Sequence, residues 1–152
     1  MFLNVYSKGK YPANILSNFA ANTFDFDGFC NIPSMESFLQ SLKFSDPDMQ
    51  RNVLYMEAKT AKRVGSTQHW QGTLNWKGTD IDRFSREYTL LIESAYRCLL
   101  ANTDFRKALK DSNGKILIHT IGKFRRSKTV LTWWEFVSIL SKLRREMNTS
   151  ES

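Results

Sequence analysis

Cysteine and histidine are scarce, with two of each among 152 residues. Cys30 and Cys98 form no Cys-x-x-Cys pair, and His69 and His119 stand too far apart for a recognisable zinc signature. No metal or cofactor dependence is therefore expected, and both thiols are read as reduced and structural. No run approaches the roughly 18 apolar residues of a membrane span. The N-terminus also lacks a signal peptide's basic-then-oily pattern, so the expected location is cytoplasmic. A glycine-framed phosphate loop is missing, as are a helix-turn-helix, an RNA-recognition aromatic motif and a zinc finger. What remains is ordinary for one globular domain: 41% hydrophobic and 24% charged residues, enough to bury a core without staples. Two quantities stand out. Aromatics make up 13% of the chain, and the net charge of +7 points to anionic partners such as phosphates, nucleotides or nucleic acid.

The local pattern predicts an α+β fold, a compact, helix-dominated single domain with a small β-sheet. The domain is expected over 1–147, with a frayed tail at 148–152. Phe2 to Tyr6 alternates like a strand, and Asp27-Gly28 between alternating segments signals a hairpin. Residues 14–20 show no period and read as a loop. Asp46-Pro47 caps a helix running through Tyr55, and a short one follows from Ala58 to Lys62. Residues 66–79, with Trp70 and Trp76, read as a long loop whose rings could cover a flat base or anchor the loop. Ile81, Phe84, Tyr88, Leu91, Ala95 and Leu99 give one amphipathic helix. A short helix at 105–109 and a strand at 115–119 follow. Thr132 to Glu135 is a capping box that opens a last helix, its inner face formed by Phe136, Ile139, Leu140 and Leu143.

The most informative stretch runs from Glu36 to Lys43. After the cap candidate Ser34, Glu36, Gln40 and Lys43 fall at i, i+4 and i+7, with Met35, Phe38 and Leu42 on the opposite, core-facing stripe. A first-turn position is expected to favour the ionised carboxylate. A carboxylate, an amide and an ammonium on one stripe suit general-base work or stabilisation of a cationic transition state. The plain alternative is a solvated helix face.

Several segments together resemble the NADAR (NAD- and ADP-ribose-associated) family of YbiA-like N-glycosidases. They are Leu16-Ser-Asn-Phe-Ala20, Phe26-Asp-Gly28, Pro33, Glu36 with Phe38, Gln40 and Lys43-Phe44, Ala61-Lys62 with Gly65, His119-Thr120 with Gly122, and Ser127-Lys-Thr129. The resemblance covers most of the chain in the family's order. It implies an enzyme, an N-glycosyl hydrolase that cleaves between a nitrogen and the anomeric carbon of a ribose. The implied partner is a phosphorylated ribosyl or ADP-ribosyl small molecule, or ADP-ribosylated DNA or RNA. An ADP-ribosylated base is preferred and a phosphoribosylaminopyrimidine is the alternative. The family's catalytic Glu falls on Glu36. The chain departs from the pattern at Ile118, where many members are acidic, and at Lys123 to Thr129, where a basic stretch replaces a Trp-Gly-rich loop.

Lys43 is the second catalytic candidate, either as an ammonium or as a neutral amine that attacks an opened ribose. Substrate contacts are assigned to Ser17, Asn18 and Phe19 as a base or ribose clamp, and to Gln40 as an orienting amide. Lys62, Arg126 and Lys128 are assigned to phosphate, and Trp70, His119 and Thr120 to further contacts. A non-catalytic ADP-ribose sensor and a nucleic-acid-binding protein remain rival classes.

Overall fold

A computed structural model describes residues 1–151. Six strands and seven helices follow in order: β1 (Phe2–Asn4), α1 (Ala13–Leu16), β2 (Phe24–Phe26), β3 (Phe29–Ile32), α2 (Met35–Ser41), α3 (Pro47–Leu54), α4 (Ala58–Gly65), β4 (Thr73–Trp76), β5 (Thr79–Asp82), α5 (Arg86–Leu99), α6 (Thr103–Asp111), β6 (Ile116–Ile118) and α7 (Trp133–Glu151). A 3-10 turn at Arg126–Lys128 lies between the last two. The fold is α+β, as the pattern predicts.

The expected single sheet is three separate two-stranded pairs: β1 parallel to β6, and the hairpins β2–β3 and β4–β5. Each hairpin turns on two residues with positive φ, Asp27-Gly28 and Lys77-Gly78, the geometry whose twist matches paired strands. The second hairpin corrects the long loop expected at 66–79, because Lys-Gly is a weaker turn signal than Asp-Gly. Trp76 accordingly belongs to the core. Its ring centroid lies 5.1 Å from that of Phe38 and 5.8 Å from that of Phe26, and its indole N–H donates to Asp27 Oδ2 at 2.8 Å. Burying each such ring stabilises the fold by roughly 1.5–3 kcal/mol.

Local capping decides most helix starts. Ser34 accepts from the Ser37 amide, Asp46 from Met49 and Asn102 from Phe105. The Ser85 side chain accepts from the Tyr88 amide, so α5 begins at Arg86. Ile81 therefore lies in β5 and Phe84 is exposed, although both continue the helical period. Residues 13–16 form a helical turn where a loop is expected. The last helix continues past Met147 to Glu151. Of the tail expected at 148–152, residues 148–151 are helical, because Asn148 and Asn113 exchange side-chain hydrogen bonds and nothing there breaks a helix. Ser152, the end of that tail, lies outside the described residues. Cys30 is exposed, so the structural role expected for it does not hold.

Two interactions position the cleft described below. Buried Gln50 on α3 donates to the carbonyls of Ser41, the last residue of α2, of Phe44 just beyond it, and of Asn75 on β4. Buried Arg83 forks onto Glu135 and donates from Nε to the Thr129 carbonyl at 3.0 Å. Its guanidinium lies 4.8 Å from the Tyr88 ring centre. Glu135 Oε1 also accepts from the Thr132 amide and hydroxyl, so one cluster fixes the start of α7 to the end of the 119–132 loop.

Candidate active site

Helix α2 is buried along its whole length, which removes the solvated-face alternative for Glu36. Packing against α3 and α4 covers the face that an isolated helix would leave wet. Gly65 permits this approach: a Cβ there would lie 2.0 Å from Gln40 Oε1. Glu36 is 7% exposed, receives Gln40 Nε2 at 2.8 Å on Oε1, and donates its own amide to the Asn18 carbonyl at 3.0 Å. Asn18 is held in turn by the hydroxyl of fully buried Tyr96, which donates to Asn18 Oδ1 at 2.5 Å. The Asn18 amide nitrogen is left as the donor on that side chain.

Glu36 borders a cavity of about 480 Å³. Ser17, Asn18, Phe19, Gln40, Lys43, Lys62, Trp70, His119 and Lys128 line it as well, so ten of the twelve residues expected at the site come together. The other two do not. Arg126 stacks on the rings of Phe84 and Trp134 outside the cleft. It shares the 3-10 turn with Lys128, and two residues apart on a three-residue turn face different ways. Thr120 is exposed and exchanges hydrogen bonds with Asn4, tying the end of β6 to β1.

The structure adds cleft residues that sequence reasoning missed, chiefly Tyr6, Ser7, Lys59 and Gln68. Lys59 had a signal, since it lies at i−3 from Lys62 on α4. Tyr6 and Ser7 had none, because only the pairing of β1 with β6 brings them beside His119.

Burial pushes the Glu36 carboxyl above its ordinary range, against the opposing pull of the Gln40 hydrogen bond and of Lys62 and Lys43. This corrects the expectation of a first turn that favours the ionised form. The neighbouring Ser37 amide is already taken by Ser34 Oγ and the Glu36 amide by Asn18 O, so the carboxylate collects one amide donor from Gln40 and little from the helix end. Burial also lowers Lys43, opposed by the Glu36 charge and assisted by Lys123 and Lys62. Its Nζ lies 3.4 Å from the Gly65 carbonyl at the end of α4.

His119 is lowered by burial and by Lys62, against the hydrogen bond to Val5. Nδ1 lies 2.5 Å from the Val5 carbonyl, which can only accept. The neutral ring therefore carries its proton on Nδ1 and leaves Nε2 as an acceptor. A Cβ at position 122 would meet the ring at 2.6 Å, which explains Gly122. Lys62 Nζ sits 5.2 Å from the Phe19 ring centre and occupies one face of that ring.

The cleft thus sets a buried acid with a raised pKa beside a depressed lysine. Among the described residues five lysines line it (43, 59, 62, 123 and 128), and Glu36 is its one carboxylate. Burial brings the two pKa values toward each other, which suits proton exchange between them, and the lysines suit an anionic handle. Among the described residues no helix is long and apolar enough to cross a membrane.

Comparisons with known proteins agree with this architecture. E. coli YbiA, solved by NMR, superposes over 99% of this chain and 87% of its own with a TM-score of 0.69 at 17% identity, a likeness of fold. An "Uncharacterized 17.1 kDa protein in Gp30-rIII intergenic region" of Enterobacteria phage T4 is 33% identical over 147 residues, 93% of this chain and 96% of that protein. A family model described as bacteriophage protein GP30.3 matches residues 10–145. On these matches the chain belongs to the bacteriophage GP30.3 protein family and carries a YbiA-like fold.

Proposed function

We propose that the protein is an N-glycoside hydrolase acting on a ribosyl compound with a phosphate or pyrophosphate handle. An ADP-ribosylated base is the preferred substrate. The observation that supports this reading is a buried carboxylate, hydrogen-bonded by one amide, in a 480 Å³ cleft whose other charged lining residues are lysines. Cleavage of an N-glycosidic bond spreads positive charge over C1 and the ring oxygen. The Glu36 carboxylate stabilises that charge and takes a proton from the attacking water, while the bond to nitrogen breaks. The Lys43 ammonium can return a proton to the departing nitrogen. Phe19, Trp70 and the Asn18 amide suit a flat base, and Lys59, Lys62 and Lys128 suit the phosphates. The test is a product assay. The protein is incubated with ADP-ribosylated nucleobases, phosphoribosylaminopyrimidines and other ADP-ribose conjugates, and released base and sugar are identified by mass. Tight binding without any released base would overturn the hydrolase and leave an ADP-ribose sensor.

Lys43 separates two mechanisms. The depressed amine can itself attack C1; the base leaves, the ring opens, and an imine forms that water later hydrolyses. In that case Lys43→Arg loses at least about 100-fold in kcat, because a guanidinium is no nucleophile. Borohydride then traps a sugar adduct on the wild-type lysine, seen in the intact mass. An active Lys43→Arg enzyme with no adduct leaves direct water attack.

Lys128 serves the handle. Lys128→Ala is expected to raise KM about 10-fold and spare kcat, since a contact shared by ground and transition states is lost. Steady-state kinetics on a phosphorylated and a dephosphorylated substrate check this, and an unchanged KM on the former removes Lys128 from the phosphate site.

A further inference from the structure

Phe84, Phe124 and Trp134 are 51%, 66% and 37% exposed. Single exposed rings are ordinary, but these three gather with Arg125, Arg126 and Ser127 around a surface recess of about 530 Å³. No residue lining it is acidic. The Arg126 guanidinium lies 5.1 Å from the Phe84 ring centre and 6.0 Å from that of Trp134, and among the described residues it meets these rings and no carboxylate. The recess is built: Trp134 Nε1 donates to the Phe124 carbonyl at 2.9 Å, and the Trp133 amide to the Lys123 carbonyl at 3.0 Å. The loop carrying Phe124 is also a wall of the cleft, through Lys123 on one side and Lys128 on the other.

We propose that Phe84, Phe124, Arg126 and Trp134 form a stacking platform for single-stranded nucleic acid beside the cleft. Open ring faces and a stacked guanidinium accept unpaired bases of any identity, and the flanking cations follow the phosphates. A duplex hides its base faces, so it cannot use the rings. An acidic peptide would use the charges and leave the rings without a partner. A strand lying on the platform would carry its neighbouring nucleotide across one loop toward Glu36, which is the geometry for presenting a modified base. Binding to the platform does not depend on the proposed hydrolysis, and unmodified oligonucleotides test it alone.

Fluorescence anisotropy of labelled 12-nucleotide dT and rU strands is measured against wild type, Phe124→Ala and Arg126→Ala, at two salt concentrations. Expected are binding of at least one strand, weaker at high salt, and a loss of about 10-fold in each variant. Quenching of tryptophan fluorescence on binding should be smaller in Trp134→Phe. Preference between dT and rU assigns the strand as DNA or RNA. Phe124 and Arg126 lie on the surface, so circular dichroism melts should match wild type. Absence of binding, equal affinity for a duplex or for polyglutamate, or undiminished affinity in folded variants would each overturn the platform.

Discussion

Glu36→Gln is expected to leave the protein folded, to slow N-glycoside cleavage at least about 100-fold, and to raise its melting temperature at neutral pH. The amide keeps the shape and still offers Gln40 an oxygen, so packing is unchanged. It removes the charge that the transition state requires. The stability gain follows from burial. The folded-state pKa of Glu36 lies above its ordinary 4.5, so the stability of the protonated form is fully present below that value and is lost as pH rises through the folded pKa. Above the window the wild type carries a buried charge that the amide lacks. Melting curves of both proteins across pH are the check: coincident at about pH 4 and separated at neutral pH. A near-normal turnover in the folded variant rejects Glu36 as the catalytic carboxylate. A gap in melting temperature that is constant with pH rejects burial of its charge as the cause.

Arg83→Met is expected to cost about 3–5 kcal/mol of stability, the usual consequence of removing one partner of a buried ion pair. Arg83 is 1% exposed and Glu135 16%, so solvent screens the pair little. The loss reaches further than the pair, because Arg83 also holds the Thr129 carbonyl and packs on Tyr88, whose hydroxyl donates to Val130 O at 2.6 Å. Thr129 and Val130 line the cleft, so KM should rise along with the loss of stability. Adding Glu135→Gln to Arg83→Met should recover part of the loss, since the stranded charge disappears and a Gln can still complete the cap.

The pH dependence has the opposite sense to that of Glu36. Burial opposes ionisation of Glu135, but the Arg83 guanidinium and the Thr132 amide and hydroxyl outweigh it and hold the carboxyl below 4.5. Its contribution is therefore present above that value and lost as pH falls through the folded pKa. Chemical denaturation of the single and double variants at neutral and acid pH measures the coupling. A coupling that does not shrink in acid would mean the guanidinium acts by packing alone.

The fold was legible wherever a few adjacent residues decide the geometry. Ser34, Asp46-Pro47, and Thr132 with Glu135 cap helices because a side-chain oxygen reaches an amide two or three residues on. Asp27-Gly28 turns a hairpin because both residues accept positive φ. The stripe of Glu36, Gln40 and Lys43 was legible for the same reason, as was the inner face of α7. Legibility failed where a local pattern competed with a cap, as with Ile81 and Phe84 upstream of Ser85. It failed also where the turn signal was weak, as at Lys77-Gly78.

The sequence by itself determined the helices other than α1 and the start of α5, two of the capped starts on either side of the cleft, and the candidate carboxylate. Only the tertiary structure decided that α2 is buried on every side, which turns the expected downward shift of the Glu36 pKa into an upward one. It alone brought Tyr6, Asn18, Lys62 and His119 around one cavity, clamped Asn18 with Tyr96, and sent Arg126 and Lys128 to opposite sides of one loop. The physical reason is range. Capping and turn geometry act over three or four residues and are written in the local sequence. Desolvation and the convergence of side chains from distant elements depend on what the rest of the chain packs against them, and no short window of residues contains that.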